Sequence, residues 1–499
     1  MQFDTGGKSA YRVVEPSGGD DPIPACLGDF LVEIRSRLHN SDDLVIQQHR
    51  SGGVDLAVVM FEGLISNLQV SDFLLRPLTN MPATENTPQK VLDYLRHSLM
   101  PASDQKEART YGEVMNFAMS GFAVVVIDGI QAAVVLGYQG FTTRGISEPS
   151  SETNLKGSHE GFGEAIVINV SMVRRRIKSP MLTVESMNIG TLSNTKVKLL
   201  YLSGVASQQL VDEIRLRLSK VNINVLIDSG SLRPFLDDAK FSLFSGTGST
   251  ERPDTLCAKI SEGRVAVMVD GTPFALILPY LFVEHFQTMD DYSQRPYFAT
   301  FIRALKLLCF FATILLPGYY VGVINYHPEL IPEVLLDSFI RSVVYTPLPA
   351  MTEALIVFTL YELLREAGLR LPRPIGHAIS IVGGLVIGDA AVTAGLVGLP
   401  MVILIAVTAV SSFVVPSLYE PVTLLRFTFI VIGGIMGLFG IYLGLGLLLI
   451  NLCSLKTLGI PITAPVSPFD STGMRDFIVR SGWKKLQKKT LEVDKLPGV

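Results

Sequence analysis

The sequence predicts an α/β soluble N-terminal region of two similar subdomains, followed by an α-helical transmembrane domain. Three observations carry this expectation. The chain has 499 residues of which only 18% are charged, and its mean hydropathy is +0.38, which is unusual for a soluble protein and points to a membrane component. The apolar residues are unevenly spread: up to about Tyr297 short apolar runs alternate with polar ones, whereas Phe301 to Lys456 is apolar almost throughout. Within the first part, a pattern recurs at matched spacing.

The N-terminal residues 1–29, "MQFDTGGKSAYRVVEPSGGDD" and onward, lack the apolar core of a signal peptide and are expected to be a flexible tail. A first α/β subdomain is expected over 30–145. It contains "VDLAVVMFEGL" (Val54 to Leu64), an apolar strand closed by a glycine turn, and "AVVVIDGIQAAVVL" (Ala123 to Leu136), two apolar runs around Asp128-Gly129. Asp-Gly between apolar runs signals a hairpin. A second subdomain is expected over 185–297, where "TKVKLLYLSGV" (Thr195 to Val205) and "VAVMVDGTPFALIL" (Val265 to Leu278) repeat the two segments in order. Gly63 to Gly129 and Gly204 to Gly271 are each separated by about 66 residues, as in a duplicated unit. The helical patterns "VSDFLLRPL" and "LVDEIRLRL" follow the first turn of each copy.

Residues 146–184 are expected to form a connector that carries an Arg-rich helix. "EGFGEAIVINVSMVRRRIKSP" runs from Glu160 to Pro180. Gly161 and Gly163 are taken as its start, Ile166, Ile168, Val170 and Val173 as part of its apolar face, and Pro180 as its stop. Arg174, Arg175 and Arg176 fall in its last turn, where unpaired carbonyls favour cations. They admit two readings: a capped helix end, or, with Glu160, a contact surface in which guanidinium groups bind carboxylates across a subunit boundary.

The membrane domain is expected over 298–456 and a cytoplasmic tail over 457–499. Ala304 to Ile324 is long enough to span, with Pro317 inside it. Ser342 to Gly368 carries Glu353, Glu362 and Glu366, too many acids for a lipid-facing helix, so Glu353 and Glu362 are expected to face water, a vestibule or a cation. His377 to Val415 holds enough apolar residues for two spans, and Val422 to Leu452 for one tilted span. The Lys-rich "WKKLQKK" tail and the absence of a leader place both termini inside, which requires an even number of spans. Four are expected, with the acid-bearing segment not spanning.

No motif supports catalysis. The four cysteines are scattered without metal-ligand spacing, the seven histidines form no cluster, and "FSGTGSTERP" lacks the Lys of a phosphate-binding loop. The net charge of -4 argues against nucleic acid as a partner. Neither an enzyme nor a cofactor is expected.

"EGFGEAIVINVSMVRRRI", "VMVDGTPFALILP", "HPELIP", "LLREAGLRLPRPIGHAISIVGGLVIGDAAVTAGLV" and "INLCSLKTLGIP" occur in this order. Together they resemble the A subunit of the GerA-type germinant receptors of endospore-forming bacteria, over about Ile127 to Pro468. The resemblance implies a multi-pass protein of the spore inner membrane. It implies partners: a transporter-like, nutrient-binding B subunit and a lipoprotein C subunit, besides membrane lipid. It also implies a homo-oligomeric ring that forms a nutrient-gated ion channel and triggers germination. A non-conducting scaffold, a transporter-like component and the related A-subunit-like protein encoded with the spore SpoVA proteins remain alternatives.

With that resemblance, the helix from Ala378 to Val392 is the expected pore lining. Gly383 and Gly384 allow close helix approach, Ser380 offers a hydroxyl, and Asp389 is an acid deep in an apolar stretch. A ring of Asp389 side chains would favour cations, and Ile381, Val382 and Ile387 would supply an apolar constriction. The competing reading is a packing surface in which Asp389 bonds a neighbouring helix.

Overall fold

The computed structural model describes residues 21–81, 87–97, 104–140, 149, 152–154, 156–238, 242–334, 346–370 and 388–486. The duplication is explicit in the sheets. β1 (Leu44–Ser51), β2 (Val54–Phe61), β3 (Gln105–Ala108), β4 (Ala123–Ile127) and β5 (Ala133–Leu136) form one five-stranded sheet in the order β1-β2-β4-β5-β3. β6 (Leu182–Ile189), β7 (Thr195–Leu202), β8 (Gly248–Thr250), β9 (Val265–Val269) and β10 (Ala275–Leu278) form a second in the order β6-β7-β9-β10-β8. All neighbours within both sheets are antiparallel.

Both faces of each sheet are covered, and the side-chain alternation of a strand assigns residues to the two cores. In β2, Ala57, Val59 and Phe61 pack under the helices Leu27–Arg37 and Tyr111–Met119. Leu56, Val58 and Met60 enter the opposite core, with Leu74, Leu78 and the Pro88–His97 helix. In β7, Val197, Leu199 and Tyr201 face the Gln208–Ser219 helix. Leu200 and Leu202 face the helices Ile166–Arg176 and Pro253–Ser261. The helix Ile166–Arg176 therefore stands on the second sheet where Leu27–Arg37 stands on the first.

The two Asp-Gly turns fix that equivalence atom by atom. The Asp128 carboxylate accepts the N–H of Leu27 at 2.9 Å, and Gly129 donates to the Ala25 carbonyl at 2.8 Å. The Asp270 carboxylate accepts the N–H of Ile166 at 3.0 Å, and Gly271 donates to the Glu164 carbonyl at 2.8 Å. Neither helix has a capping side chain of its own, since Cys26 and Ala165 occupy the cap positions. Each hairpin turn thus supplies the missing acceptor to the helix that precedes its sheet. The glycines adopt φ of 86° and 91°, a left-handed conformation that a side chain disfavours.

Among the described residues, two segments, Pro296–Tyr326 and Pro416–Ser454, are long and apolar enough to cross a membrane. The second is not the single tilted span expected from its length. Gly437 has φ 61° and ψ -150°, and a Cβ on Gly444 would meet the Phe429 ring at 3.1 Å. In a straight helix those two residues would lie about 22 Å apart. The chain reverses at Gly437, and residues 419–436 and 438–454 form an antiparallel hairpin. Composition hid this because Gly437 sits among glycines that serve close packing: Gly318 touches the Phe429 backbone, and Gly433 touches Gly318 in return.

The reversal leaves carbonyls without helical partners. The Tyr326 hydroxyl, at the end of the first membrane helix, donates to the carbonyls of Gly434 and Ile435 at 3.1 and 2.8 Å. The helix Ala350–Arg370 runs the other way: Met351 lies against Gly434, and the Arg365 guanidinium stacks on Tyr419, 3.5 Å from its ring centre. After the hairpin the chain returns to the second subdomain, where Leu458 donates to Asp238 at 2.7 Å and Phe282 donates to the Ile462 carbonyl at 2.9 Å.

Candidate functional site

Two places join parts of the molecule that must act together. The first lies between the two copies. Arg174 is completely buried, and its Nε and Nη2 donate to the two oxygens of Asp43 at 2.8 and 2.9 Å. Nη2 also donates to the Ser41 hydroxyl at 2.9 Å, and the guanidinium lies 4.6 Å from the Phe61 ring centre. Ser41 accepts the N–H of Val184, Asp42 donates its N–H to the Val184 carbonyl at 2.8 Å while its carboxylate accepts the N–H of Ser186 at 2.5 Å, and Lys198 pairs with Glu62 at 2.8 Å. Gly63 supplies the close approach, because a Cβ there would meet the Val167 carbonyl at 2.9 Å.

Arg174 therefore faces the first copy of its own chain. Arg175 and Arg176 turn elsewhere and share Glu160, at 3.3 and 2.5 Å. Burial would raise the Glu160 carboxyl, but the two guanidinium groups outweigh it and hold the group below the usual carboxylate range. The helix opens at Ile166, not at Gly161. The Asn169 side chain doubles back on Gly163, accepting its N–H at 2.9 Å and donating to its carbonyl at 2.7 Å, which holds the entry strand out of the helix.

The second place is the junction of the second subdomain with the membrane helices. A cavity of about 810 Å³ lies there, bordered by Arg233, Tyr280, Glu284, His285, Lys306 and Ser417 among others. Glu284 is 3% exposed. It accepts from Lys259 at 2.6 Å, from Arg264, and from the Leu281 N–H at 2.8 Å. Burial would raise its carboxyl. The Arg264 guanidinium and the Lys259 ammonium reverse that and hold it below the usual range. His285 meets the Ser417 hydroxyl at 2.9 Å, at the entry to the membrane hairpin. Arg303, on the first membrane helix, binds Asp291 at 2.7 Å and Asp476 at 2.8 Å. The C-terminal segment, the soluble domain and the first span are thereby tied at one point.

Of the residues singled out in the membrane region, Glu353 is buried and accepts the N–H of Gly398 at 2.8 Å, ahead of the helix Leu399–Ser412. Glu362 pairs with Arg426 and Arg365, each at 3.2 Å, and accepts from Tyr419. Ser380, Ile381, Val382, Gly383, Gly384 and Ile387 lie outside the described residues, while Asp389 is exposed on the isolated chain. Asp43, Glu284 and Arg303 were not singled out in the sequence, where each is one charge among many. Arg426 had a signal: it is a lone cation inside "VTLLRFTFIV".

Comparison with known proteins supplies what geometry does not. The family described as Bacillus/Clostridium GerA spore germination protein matches residues 32–491. The chain is 37% identical to spore germination protein KA of Bacillus subtilis (strain 168), over 95% of this chain and 88% of that one. It is 35% identical to spore germination protein GerLA of Bacillus cereus, over 89% and 90%. It is 36% identical to the membrane protein YfkQ of Bacillus subtilis (strain 168), over 94% and 92%. Among solved structures, the N-terminal domain of the A subunit of the Bacillus megaterium spore germinant receptor GerK3 is 31% identical, covering 52% of this chain and 98% of that one, with a TM-score of 0.43. With the family matched along nearly its whole length, this chain belongs to the GerA family of spore germination proteins, as a membrane protein of the germinant-receptor A-subunit type.

Proposed function

We propose that the chain is the channel-forming A subunit of a nutrient receptor in the spore inner membrane. It assembles as a homo-oligomeric ring with a transporter-like B subunit and a lipoprotein C subunit. The soluble region and the C-terminal tail lie on the cytoplasmic side. The single observation that supports this most is the family match across both the duplicated soluble region and the membrane helices. The shared position of the Pro296 and Ser454 ends beside the second subdomain supports placing both flanks on one face.

In this reading the helix around Val382 and Asp389 lines the pore, and Asp389, exposed on the isolated chain, turns toward the ring axis. Arg175, Arg176 and Glu160 sit partly exposed and contribute to the contact between neighbouring subunits. The test is reconstitution of the full chain in planar bilayers, with its oligomeric mass measured in parallel. A ring that passes cations, with selectivity reduced by Asp389→Asn, is the expected result. A monomer without conductance, in the presence of the partner subunits as well, refutes the channel and leaves a scaffold.

A further inference from the structure

The pairing of Glu362 with Arg426 leaves a charge unanswered. Arg426 is fully buried between residues 419–436 of the hairpin and the helix Ala350–Arg370, yet only Nη1 has a partner, the Glu362 carboxylate at 3.2 Å. Its Nε and Nη2 meet no acceptor among the described residues, and neither does the buried hydroxyl of Tyr361. The guanidinium lies 6.0 Å from the Tyr361 ring centre. Arg365 reaches the same carboxylate at 3.2 Å and remains partly exposed, at 24%. Two guanidinium groups thus share one carboxylate, whose second oxygen already takes the Tyr419 hydroxyl.

A buried cation with unsatisfied N–H groups is costly, and one carboxylate does not neutralise two arginines. The aromatic faces of Phe358, 5.2 Å away, and Tyr361 offset part of that cost. They accept none of the N–H bonds. Nε and Nη2 point the fork of a guanidinium, which matches two oxygens of one carboxylate or phosphate group.

We infer that Arg426, with Arg365 and Tyr361, forms an oxyanion-binding site between the membrane helices, taking a phosphate-type group as a lipid headgroup or a free ion. Arg426 is seven residues into the hairpin from Tyr419, about 10 Å along a helix. That places it in the part of the hairpin nearer the second subdomain, whose His285 meets Ser417 at the hairpin entry. The bound oxyanion receives both free N–H bonds of Arg426 and the Tyr361 hydroxyl, and it neutralises the surplus cation.

The test uses the full chain in uncharged detergent micelles, titrated separately with inorganic phosphate, phosphatidylglycerol and phosphatidylcholine, with thermal unfolding as the readout. Saturable stabilisation by phosphate assigns a free ion. Stabilisation by phosphatidylglycerol alone assigns an anionic lipid. Either supports the site, provided Arg426→Gln weakens the apparent affinity roughly tenfold to a hundredfold, as loss of a charge-assisted pair would. If Arg426→Gln fails to fold, Tyr361→Phe serves instead: it keeps the ion pairs and weakens the same titration by roughly threefold to tenfold. Stabilisation by none of the three, or equal stabilisation of parent and both variants, overturns the proposal. These outcomes are independent of conductance, so they separate this site from the channel reading.

Discussion

Arg174 and Asp43 lie 131 residues apart and form a fully buried, two-pronged ion pair that closes the first α/β copy onto the second. Arg174 is in the last turn of its helix, where a cation is favoured. Asp43 ends the turn that follows the helix Leu27–Arg37 and enters β1. Ser41 completes the set by accepting from Arg174 and donating to Asp43 at 2.6 Å. The strand pairing, helix placement and turn chemistry of each copy are repeated. This pair joins the last helical turn of the second copy to the turn that leads into β1 of the first.

Removing one partner should be far worse than removing both. Arg174→Met leaves Asp43 buried and unpaired, and should cost about 3–5 kcal/mol of stability. Adding Asp43→Leu should restore much of that loss, because two apolar groups replace a desolvated pair. Denaturant unfolding of the single and double variants measures the difference. Equal loss in Arg174→Met and in Arg175→Met, whose side chain is partly exposed, would show that the buried pair has no special weight.

The Asp-Gly turns should behave as helix caps. Asp128→Ala and Asp270→Ala should each destabilise by about 0.5–2 kcal/mol, the usual cost of a lost cap. Amide hydrogen exchange should rise first at Leu27 and at Ile166, the donors each carboxylate holds. Uniform exchange across both copies would instead mean that the aspartates act only within their hairpins.

Much of this fold was legible because it rests on period and repetition. Val124 to Ile127 and Ala133 to Leu136 around Asp128-Gly129 could hardly be anything but a hairpin, and its echo around Asp270-Gly271 revealed the duplication. What stayed hidden depends on contacts far apart in sequence. Nothing near Asp43 announces Arg174, and nothing near Glu284 announces Arg264 and Lys259. The helix Ile166–Arg176 looked like a connector because its equivalent, Leu27–Arg37, is polar enough on its outer face to be missed as a partner. Gly437 was indistinguishable by composition from Gly433 and Gly434, although it alone of the three has a positive φ. In the candidate site, Glu362 was found from the rarity of acids in apolar helices. The same rule applied to Arg426 would have found its partner.

Acid should weaken the junction in a definite direction. The folded carboxyl of Glu284 sits below its ordinary range, so its contribution is fully present above the unfolded value of about 4.3 and is lost as pH falls through the folded value. Thermal unfolding between neutral and acid pH should therefore fall less steeply in Glu284→Gln than in the parent, although the variant starts less stable. Parallel pH curves for the two proteins would remove Glu284 from the acid response.

The hairpin at Gly437 makes a geometric prediction. In a variant freed of its native cysteines, Phe429→Cys with Gly444→Cys should be bridged within one chain by a short bifunctional thiol reagent. The straight-helix alternative separates the two thiols by about 22 Å and allows no bridge. Tyr326→Phe should lower stability by about 0.5–1.5 kcal/mol, because the carbonyls of Gly434 and Ile435 lose the hydroxyl that donates to both.

The most direct measurement of the receptor-channel role is ion release from spores that lack this chain and are complemented with it or with Val382→Ala. The parent chain should release cations only after nutrient is added, and uncomplemented spores should lose the response to at least one nutrient. Val382→Ala should release cations without nutrient, because in the proposed pore a smaller side chain would open the apolar constriction. Unchanged nutrient responses in spores lacking the chain, together with identical release from the two complemented strains, would contradict its role as a gated channel subunit.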